Sequence, residues 1–496
     1  MNKLQILYTT DIHGSLFSHN YVDGKNNHSG LTRLSTLVRM LRASNPDLIL
    51  IDNGDINQGT PLVTYDQKNA NHQLMSLALN ALGYDYANLG NHDFNYGIEN
   101  LLIHLQNLDA DLLTSNIEVR DQVLGETKLH PTPFGVIAFI GVVTDYLHNW
   151  EQPDTLKQMK IKTVLETVQQ EVAKVKDRAD HIVVLYHGGL ERDPDTLEPT
   201  EALTGENIGI QLAFEVPEID VLLTGHQHRT LVKKVNNTLI IQAGNEAQKV
   251  GLVEFDEDGF HGKIIELGPY ATDPTFEQPF LAIEQETQLW LDDVIGYSDK
   301  PLIVTDLVSA QKNFHPLACF LNQVILEYTG AEVALSSFFN TTFGFDTQIT
   351  YRQLIANYPF PNTLFVKEVP GIVLLEYLEK NATYWSKDDQ GHVVVSPDKL
   401  IPKLQYYDYD FVTGVQFDID VSKPIGQRII NHQIDLNKTY RVVMNNYRAQ
   451  GGSHSFMLRD CATVFEDGRE VIDILYDYLI EHQPIEIKET YLTKVF

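Results

Sequence analysis

Cysteine is nearly missing: Cys319 and Cys461 are the only two in 496 residues, far apart and outside any CxxC or Cys/His cluster. That scarcity excludes a disulfide framework and suits a reducing compartment, the pair reading as buried, weakly polar filler. Basic residues are also short, 37 against 67 acidic ones, which gives a formal charge of -30 with no polybasic run. Duplex nucleic acid is excluded as a partner, because binding a phosphate backbone needs clustered Lys and Arg. No apolar run reaches the length of a membrane span. The first strand-like run starts so soon after Met1 that it leaves no room for a secretory leader. The expectation is a cytoplasmic chain, or an extracellular one if a leader was trimmed, with no membrane and no protein partner implied.

What is present fits a globular protein of more than one domain: hydrophobic residues make up 43% and charged residues 21% of 496. Up to about Gly268, β-rich runs alternate with helical stripes. The stripes are Leu31, Leu34, Val38 and Leu41, then Leu74, Leu77, Ala81 and Leu82, then Ile161, Val164, Leu165, Val168 and Val172. Ile137 to Val143, Leu239 to Gln242 and Val250 to Phe255 read as strands. This alternation predicts a layered α/β domain over 1–270. Pro269, Pro274 and Pro279 then introduce a helical run from about Glu277 to Val294, a linker helix within 271–298, and an aromatic-rich α+β domain over 299–496.

Five short runs carry the chemistry. They are Asp11-Ile12-His13, Gly54-Asp55, Gly90-Asn91-His92-Asp93, His187-Gly188-Gly189 and Gly225-His226-Gln227-His228. Each ends a strand-like stretch: Leu4 to Tyr8, Leu48 to Ile51, Tyr86 to Leu89, Ile182 to Tyr186 and Val221 to Leu223. Ligand groups in α/β proteins gather beyond the carboxyl ends of strands. Two cations side by side repel unless an anion bridges them, and Asp55 is the best bridging candidate. Asp11 with His13, and His226 with His228, present side chains from one loop each; Asn91 adds an amide oxygen and His187 an imidazole. Mixed nitrogen and oxygen donors suit zinc, manganese, iron or cobalt better than calcium. Two divalent ions outweigh two carboxylates, so an acidic protein could still bind a small phosphate here. The bland alternative makes Asp11 a helix cap and Gly90 to Asp93 a turn, but it needs five coincidences.

These runs resemble the signature of calcineurin-like metallophosphoesterases. The whole chain is similar to the bacterial 5'-nucleotidase and 2',3'-cyclic-nucleotide 2'-phosphodiesterase family, through Asp52 to Pro61 and Asn445 to Gly452. The resemblance implies a four-layer αββα catalytic domain, a linker helix and a C-terminal α+β domain that grips the nucleoside and rotates to deliver it. It also implies one metal on Asp11, His13, Asp55 and His228, and another on Asp55, Asn91, His187 and His226. Hydroxide between the metals would attack phosphorus in line, with His92 stabilising the transition state or protonating the leaving oxygen. In the 5'-nucleotidase branch that His is paired with an Asp three residues on; here Asn95 stands there, and the dyad is weakened. Asn95-Tyr96-Gly97 is similar to the cyclic-phosphodiesterase and 3'-nucleotidase branch.

Base stacking needs flat side chains on two walls. Among Tyr406, Tyr407, Tyr409, Phe411 and Tyr447, the family pattern points to Tyr409 and Tyr447 as the clamp, the others being strand residues. Ser453 and His454 follow the paired glycines where many 5'-nucleotidases have a ribose-binding Asp, and phosphate-binding arginines lack a counterpart around Ser336 to Asn340. The runs Tyr358 to Leu364 and Tyr409 to Val415 are similar to the cyclic-phosphodiesterase branch. Arg352 and Arg448 are loose candidates for phosphate, or solvated surface residues. The expected function is a binuclear-metal phosphoesterase acting on 2',3'-cyclic nucleotides and 3'-nucleotides. The alternatives are a 5'-nucleotidase or nucleotide-sugar hydrolase and, in another class, a nucleotide-binding module without turnover.

Overall fold

Short runs rich in Val, Ile and Leu become strands because branched side chains pack well on a pleated surface. The computed structural model describes residues 3–149, 151, 153–200, 203–360, 362–400, 404–488 and 492–496, so Pro361 of the Tyr358 to Leu364 run lies outside the described residues. In chain order the strands that build the first region are β1 (Leu4–Thr9), β2 (Ile49–Asp52), β3 (Tyr86–Ala87), β4 (Asp111–Leu112), β5 (Lys128–Thr132) and β6 (Gly135–Val143). They continue with β7 (His181–His187), β8 (Val221–Thr224), β9 (Thr230–Val235), β10 (Thr238–Ala243), β11 (Lys249–Asp256) and β12 (Gly259–Glu266). Two six-stranded sheets result, ordered β12-β11-β1-β2-β3-β4 and β9-β10-β8-β7-β6-β5. In the first, β1, β2 and β3 run parallel, with Ile6 opposite Ile49 and Ile51 opposite Tyr86. In the second, β6, β7 and β8 run parallel, with Val183 between Phe139 and Val221.

The two-residue period of a strand divides each sheet into two faces. Ile6, Tyr8, Ile49 and Ile51 of the first sheet meet Phe139, Val183, Leu185, Leu223 and Ile241 of the second in one buried cluster. Alternate residues of the second sheet, Ile140, Val142, Val184 and Leu222, instead pack with Val164, Val168 and Val172 of a helix (Val164–Val175) and Ile210 and Leu212 of another (Gly209–Glu215). Helices α1 (Leu31–Ser44), α2 (Leu74–Leu82) and α3 (Gly97–Gln106) connect the parallel strands of the first sheet. With one face of that sheet occupied by its partner sheet, these crossovers cover the other, where Leu7 and Leu50 are fully buried. The layers run helix, sheet, sheet, helix, and the two helices on the second sheet are α4 and α5.

The sequence misplaces a few residues. Ile161 ends a short strand (Met159–Ile161) and does not join α4, and Leu77 is 48% exposed on α2. The helical run after Gly268 is broken by Pro279 into a turn (Pro274–Glu277), a tighter turn (Gln278–Phe280) and α6 (Leu281–Asp292). Val294 lies outside it because Val294–Tyr297 pairs as a strand with Gln348–Thr350. Cys319 is buried, but Cys461 only partly so, and neither is in a disulfide.

The chain divides into two compact units, Met1–Gln288 and Leu289–Phe496, with the division inside α6. The second unit is built on β13 (Val333–Ser337), β14 (Thr363–Pro370), β15 (Asp410–Thr413), β16 (Thr439–Asn445) and β17 (Ala462–Glu470), in the order β15-β13-β16-β14-β17. Helix α7 (Pro316–Thr329) opens on Pro316, ends at the left-handed Gly330, and packs on β13 and on the helix α8 (Val471–Glu481). Among the described residues no helix is long and apolar enough to cross a membrane.

Candidate metal centre

Because β1, β2 and β3 are parallel, as are β7 and β8, their carboxyl ends deliver five loops to one edge of the sandwich. The first sheet brings Asp11, His13, Asp55 and Asn91; the second brings His187, the last residue of β7, and His226 and His228 after β8. The side chains collect into two groups of ligand atoms, Asp11 with His13 and His228, and Asp55 with His187 and His226. His13 Nε2 and His228 Nε2 are 3.1 Å apart, and His228 Nε2 is 3.3 Å from Asp11 Oδ1. His226 Nδ1 is 2.8 Å from Asn91 Oδ1, which brings Asn91 to the second group. Asp55 Oδ2 lies 3.1 Å from His187 Nε2 and 4.0 Å from His13 Nε2, between the groups.

The donor set fits divalent cations. Asp55 Oδ2 and His187 Nε2 are fully buried, and beyond their own 3.1 Å approach neither has a hydrogen-bond partner. Orphaned polar atoms of this kind are rare and mark a missing partner. Each inner imidazole is turned by its far nitrogen: His187 Nδ1 donates to the Asn53 carbonyl at 2.6 Å, and His13 Nδ1 to the Gln58 carbonyl at 2.9 Å. A ring held that way presents Nε2 to a metal. Burial alone would lower the His187 pKa, but the Asp55 and Asp11 carboxylates outweigh it and push it up to about 10. The cluster is thus an excess of negative charge that draws in positive charge.

Backbone geometry at this edge is unusual. Asp11, His13, Asp55, His226 and His228 all have φ between 51° and 68°, a left-handed conformation that costs a non-glycine residue energy and concentrates at functional sites. The loops also approach closely. A Cβ on Gly54 would sit 2.1 Å from the Gly90 nitrogen, and one on Gly90 would sit 2.1 Å from Asp55 Oδ1, so both positions require glycine. Asp93 fastens this contact, its carboxylate accepting from the backbone N–H of Gly90, Asp55, Ile56 and Asn57 at 2.8 to 3.0 Å. Beneath it, the buried amides of Asn53 and Asn88 bond across the sandwich to carbonyls of Tyr186 and Val142.

His92 donates its backbone N–H to Asp55 Oδ1 at 2.7 Å, and its ring lies 5.5 Å from that of His13. Its Nδ1 meets Asn95 Oδ1 at 2.7 Å. Sequence reasoning missed three acids here: Asp93 as a fastener, Glu206, whose Oε1 is 2.9 Å from His226 Nε2, and Glu151, bonded to Asn95. Nothing in local spacing signals Glu206 or Glu151, since each arrives from a distant loop.

The two tyrosines of the second unit separate. Tyr447 is 45% exposed, with its ring against Gly452, where a Cβ would come within 2.6 Å. Tyr409 is only 2% exposed and packs on Tyr384, Trp385 and Phe411, so it has no free face for a base and belongs to the core. Tyr407, in the turn Tyr406–Asp408, is instead partly exposed, its carbonyl accepting from Arg448 Nη2 at 2.6 Å beside Tyr447. Arg448 is not a solvated residue either. It is buried, with Nε donating to Asp410 Oδ2 at 2.8 Å, while Arg352 pairs with Asp292.

Comparison with known proteins agrees with this arrangement. The family model for calcineurin-like phosphoesterase matches residues 4–230, and that for the 5'-nucleotidase C-terminal domain matches residues 294–460. A crystal structure of a Staphylococcus aureus protein, provisionally named a 5'-nucleotidase and solved with alpha-ketoglutarate, is 32% identical, with a TM-score of 0.85 over 99% of both chains. The 2',3'-cyclic-nucleotide 2'-phosphodiesterase/3'-nucleotidase of Haemophilus influenzae is 26% identical over 96% of this chain and 84% of its own. The trifunctional nucleotide phosphoesterase protein YfkN of Bacillus subtilis is 24% identical over 98% of this chain, which spans 38% of that relative's length.

Proposed function

The chain belongs to the calcineurin-like phosphoesterases that carry a 5'-nucleotidase C-terminal domain, and on that premise we propose that it hydrolyses 2',3'-cyclic nucleotides and 3'-nucleotides with two divalent cations. The observation that carries this reading is the convergence of two groups of ligand atoms with Asp55 between them. Asp11, His13, Asp55 and His228 would hold one ion, and Asp55, Asn91, His187 and His226 the other, with manganese, zinc, iron and cobalt all compatible with the donors. Such a pair, when bound, lowers the pKa of water toward ~7 and neutralises phosphoryl oxygens.

The chain's own residues supply orientation and a proton. Asn53 and Gln58 keep His187 and His13 turned inward. As a water oxygen bonds to phosphorus and the bond to the ribose oxygen breaks, His92 gives a proton to the departing oxygen. With Nδ1 occupied by Asn95, Nε2 is the nitrogen that donates. In the second unit Tyr447, with Tyr407 in place of Tyr409, would stack on the base. Asn95 beside His92 favours the cyclic-phosphodiesterase branch. Likeness to the Staphylococcus aureus protein favours a second reading, a 5'-nucleotidase.

Hydrolysis of a 2',3'-cyclic nucleotide, a 3'-monophosphate and a 5'-monophosphate with added manganese or zinc separates these. The expected order puts the cyclic ester and the 3'-ester ahead; a strong preference for the 5'-ester selects the second reading, and tight nucleotide binding without turnover selects a binding module. Asp55→Asn should lower kcat/KM by about a thousandfold or more and reduce bound metal measured by mass spectrometry, since two-metal charge stabilisation is worth several kcal/mol. Unchanged activity in that variant would remove the proposed site.

A further inference from the structure

His92 does not face Asn95 alone. Asn95 Nδ2 donates to Glu151 Oε1 at 2.7 Å, so an unbroken chain runs from His92 Nδ1 through the Asn95 amide to a carboxylate that is 7% exposed. The two ends come from different sheets. Asn95 follows the turn Asn91–Phe94 after β3, while Glu151 follows the turn Asp145–Asn149 after β6 and is tied back by its N–H to the Leu147 carbonyl.

The chemistry of an amide makes this arrangement informative. Asn presents an acceptor on one side and a donor on the other, and the two orientations are nearly equal in shape. An ionised carboxylate only accepts. Glu151 therefore selects the orientation in which the Asn95 NH2 points to it, and the carbonyl oxygen is left for His92. That oxygen can meet His92 only if Nδ1 carries a proton, which leaves Nε2 on the side of the ring away from Asn95. In the flipped orientation the amide NH2 would oppose an Nδ1–H, so the contact would hold only with Nδ1 bare. An Asp at position 95 would need no such lock, because both of its oxygens accept.

We propose that Glu151 is a positioning residue that acts through Asn95 on His92, fixing the amide so that Nδ1 keeps its proton and Nε2 is presented to the leaving oxygen. This rests on the reading of His92 as the proton donor.

The test uses the metal-loaded full chain in four variants. Glu151→Gln keeps volume and hydrogen bonding but accepts either orientation of Asn95, so kcat on the preferred substrate should fall about tenfold with KM unchanged, part of the 10²–10⁴ that general acids supply. Glu151→Ala should fall further. Asn95→Asp combined with Glu151→Gln should return kcat to within about threefold of the parent, because an acceptor-only side chain needs no lock. The fourth, His92→Asn, assigns the ring signals and tests the underlying reading. Nitrogen-15 histidine spectra should show Nδ1 of His92 protonated in the parent, whether or not Nε2 also carries a proton, and a mixture of protonated and bare Nδ1 in Glu151→Gln, with metal content equal by mass spectrometry. Parent-like kcat and spectra in both Glu151 variants, or failure of the double variant to recover, would overturn the relay. If His92→Asn itself retains full activity, the role of His92 fails first.

Discussion

At the scale of single residues, the two tyrosines make opposite predictions. Replacing Tyr447 by Ala should raise KM for nucleotides by roughly 5- to 150-fold with little change in kcat, because stacking contributes about 1–3 kcal/mol per base. Tyr409→Ala should lower unfolding free energy by about 3–5 kcal/mol, the cost of emptying an aromatic site in a core, with KM unchanged in the protein that stays folded. Steady-state kinetics beside urea melts would reveal it if the roles were reversed. The sequence could not separate these residues. Tyr409 comes just before β15 and Tyr447 just after β16, and only the packing of Tyr409 on Trp385 and Tyr384 decides that its ring is enclosed. The proposed metal ligands were legible because Asp, Asn and His recur at strand ends, a local pattern. Their left-handed backbone was not, since only the tertiary contacts at this edge sustain that strain.

At the scale of elements, the loops after β2 and β3 are held by one carboxylate. Asp93→Ala would strip the acceptor from four backbone N–H groups, and buried donors left unpaired are costly. The expected result is a loss of about 3 kcal/mol or more in urea unfolding together with weaker metal binding by titration calorimetry; a loss under about 1 kcal/mol would show that the loops hold without it. The contact of α2 with α3 makes a pH prediction. His104 of α3 is buried against Ser76 of α2, 2.9 Å from its hydroxyl, and burial lowers its pKa to about 4. The unfolded chain takes up that proton near pH 6.5 and the folded one only near 4, so this stability is complete above pH 6.5. It is lost as pH falls toward 4, at about 1.4 kcal/mol per unit. His104→Gln should show a shallower decline between pH 7 and 5 than the parent, and parallel curves would exclude the effect. The helices themselves were readable from their stripes. What was not is where a stripe stops: Ile161 continues the spacing of α4 yet pairs with Ile117 as a strand, because tertiary pairing overrides local periodicity.

At the scale of the whole molecule, both groups of candidate ligands lie in the unit Met1–Gln288. A cation that binds only the folded state stabilises it, by about 2.7 kcal/mol at a hundred times its dissociation constant. Manganese should therefore slow hydrogen exchange in peptides around Thr10 to His13, Asn53 to Asn57, Leu89 to Asn95, Tyr186 to Gly189 and Gly225 to His228, and a chelator should reverse it. Equal protection with and without metal would argue against the site. The sequence by itself determined the layered α/β class, the strand-end ligand types and the substitution of Asn95, because hydrophobic period and residue chemistry are local properties. Only the tertiary structure decided that Asp55 stands between two ligand groups, that Tyr409 belongs to the core, and that Glu151 completes the contact of His92. Those facts depend on which loops of two separate sheets meet, and residues as distant as Asn95 and Glu151 become neighbours only when the sandwich closes.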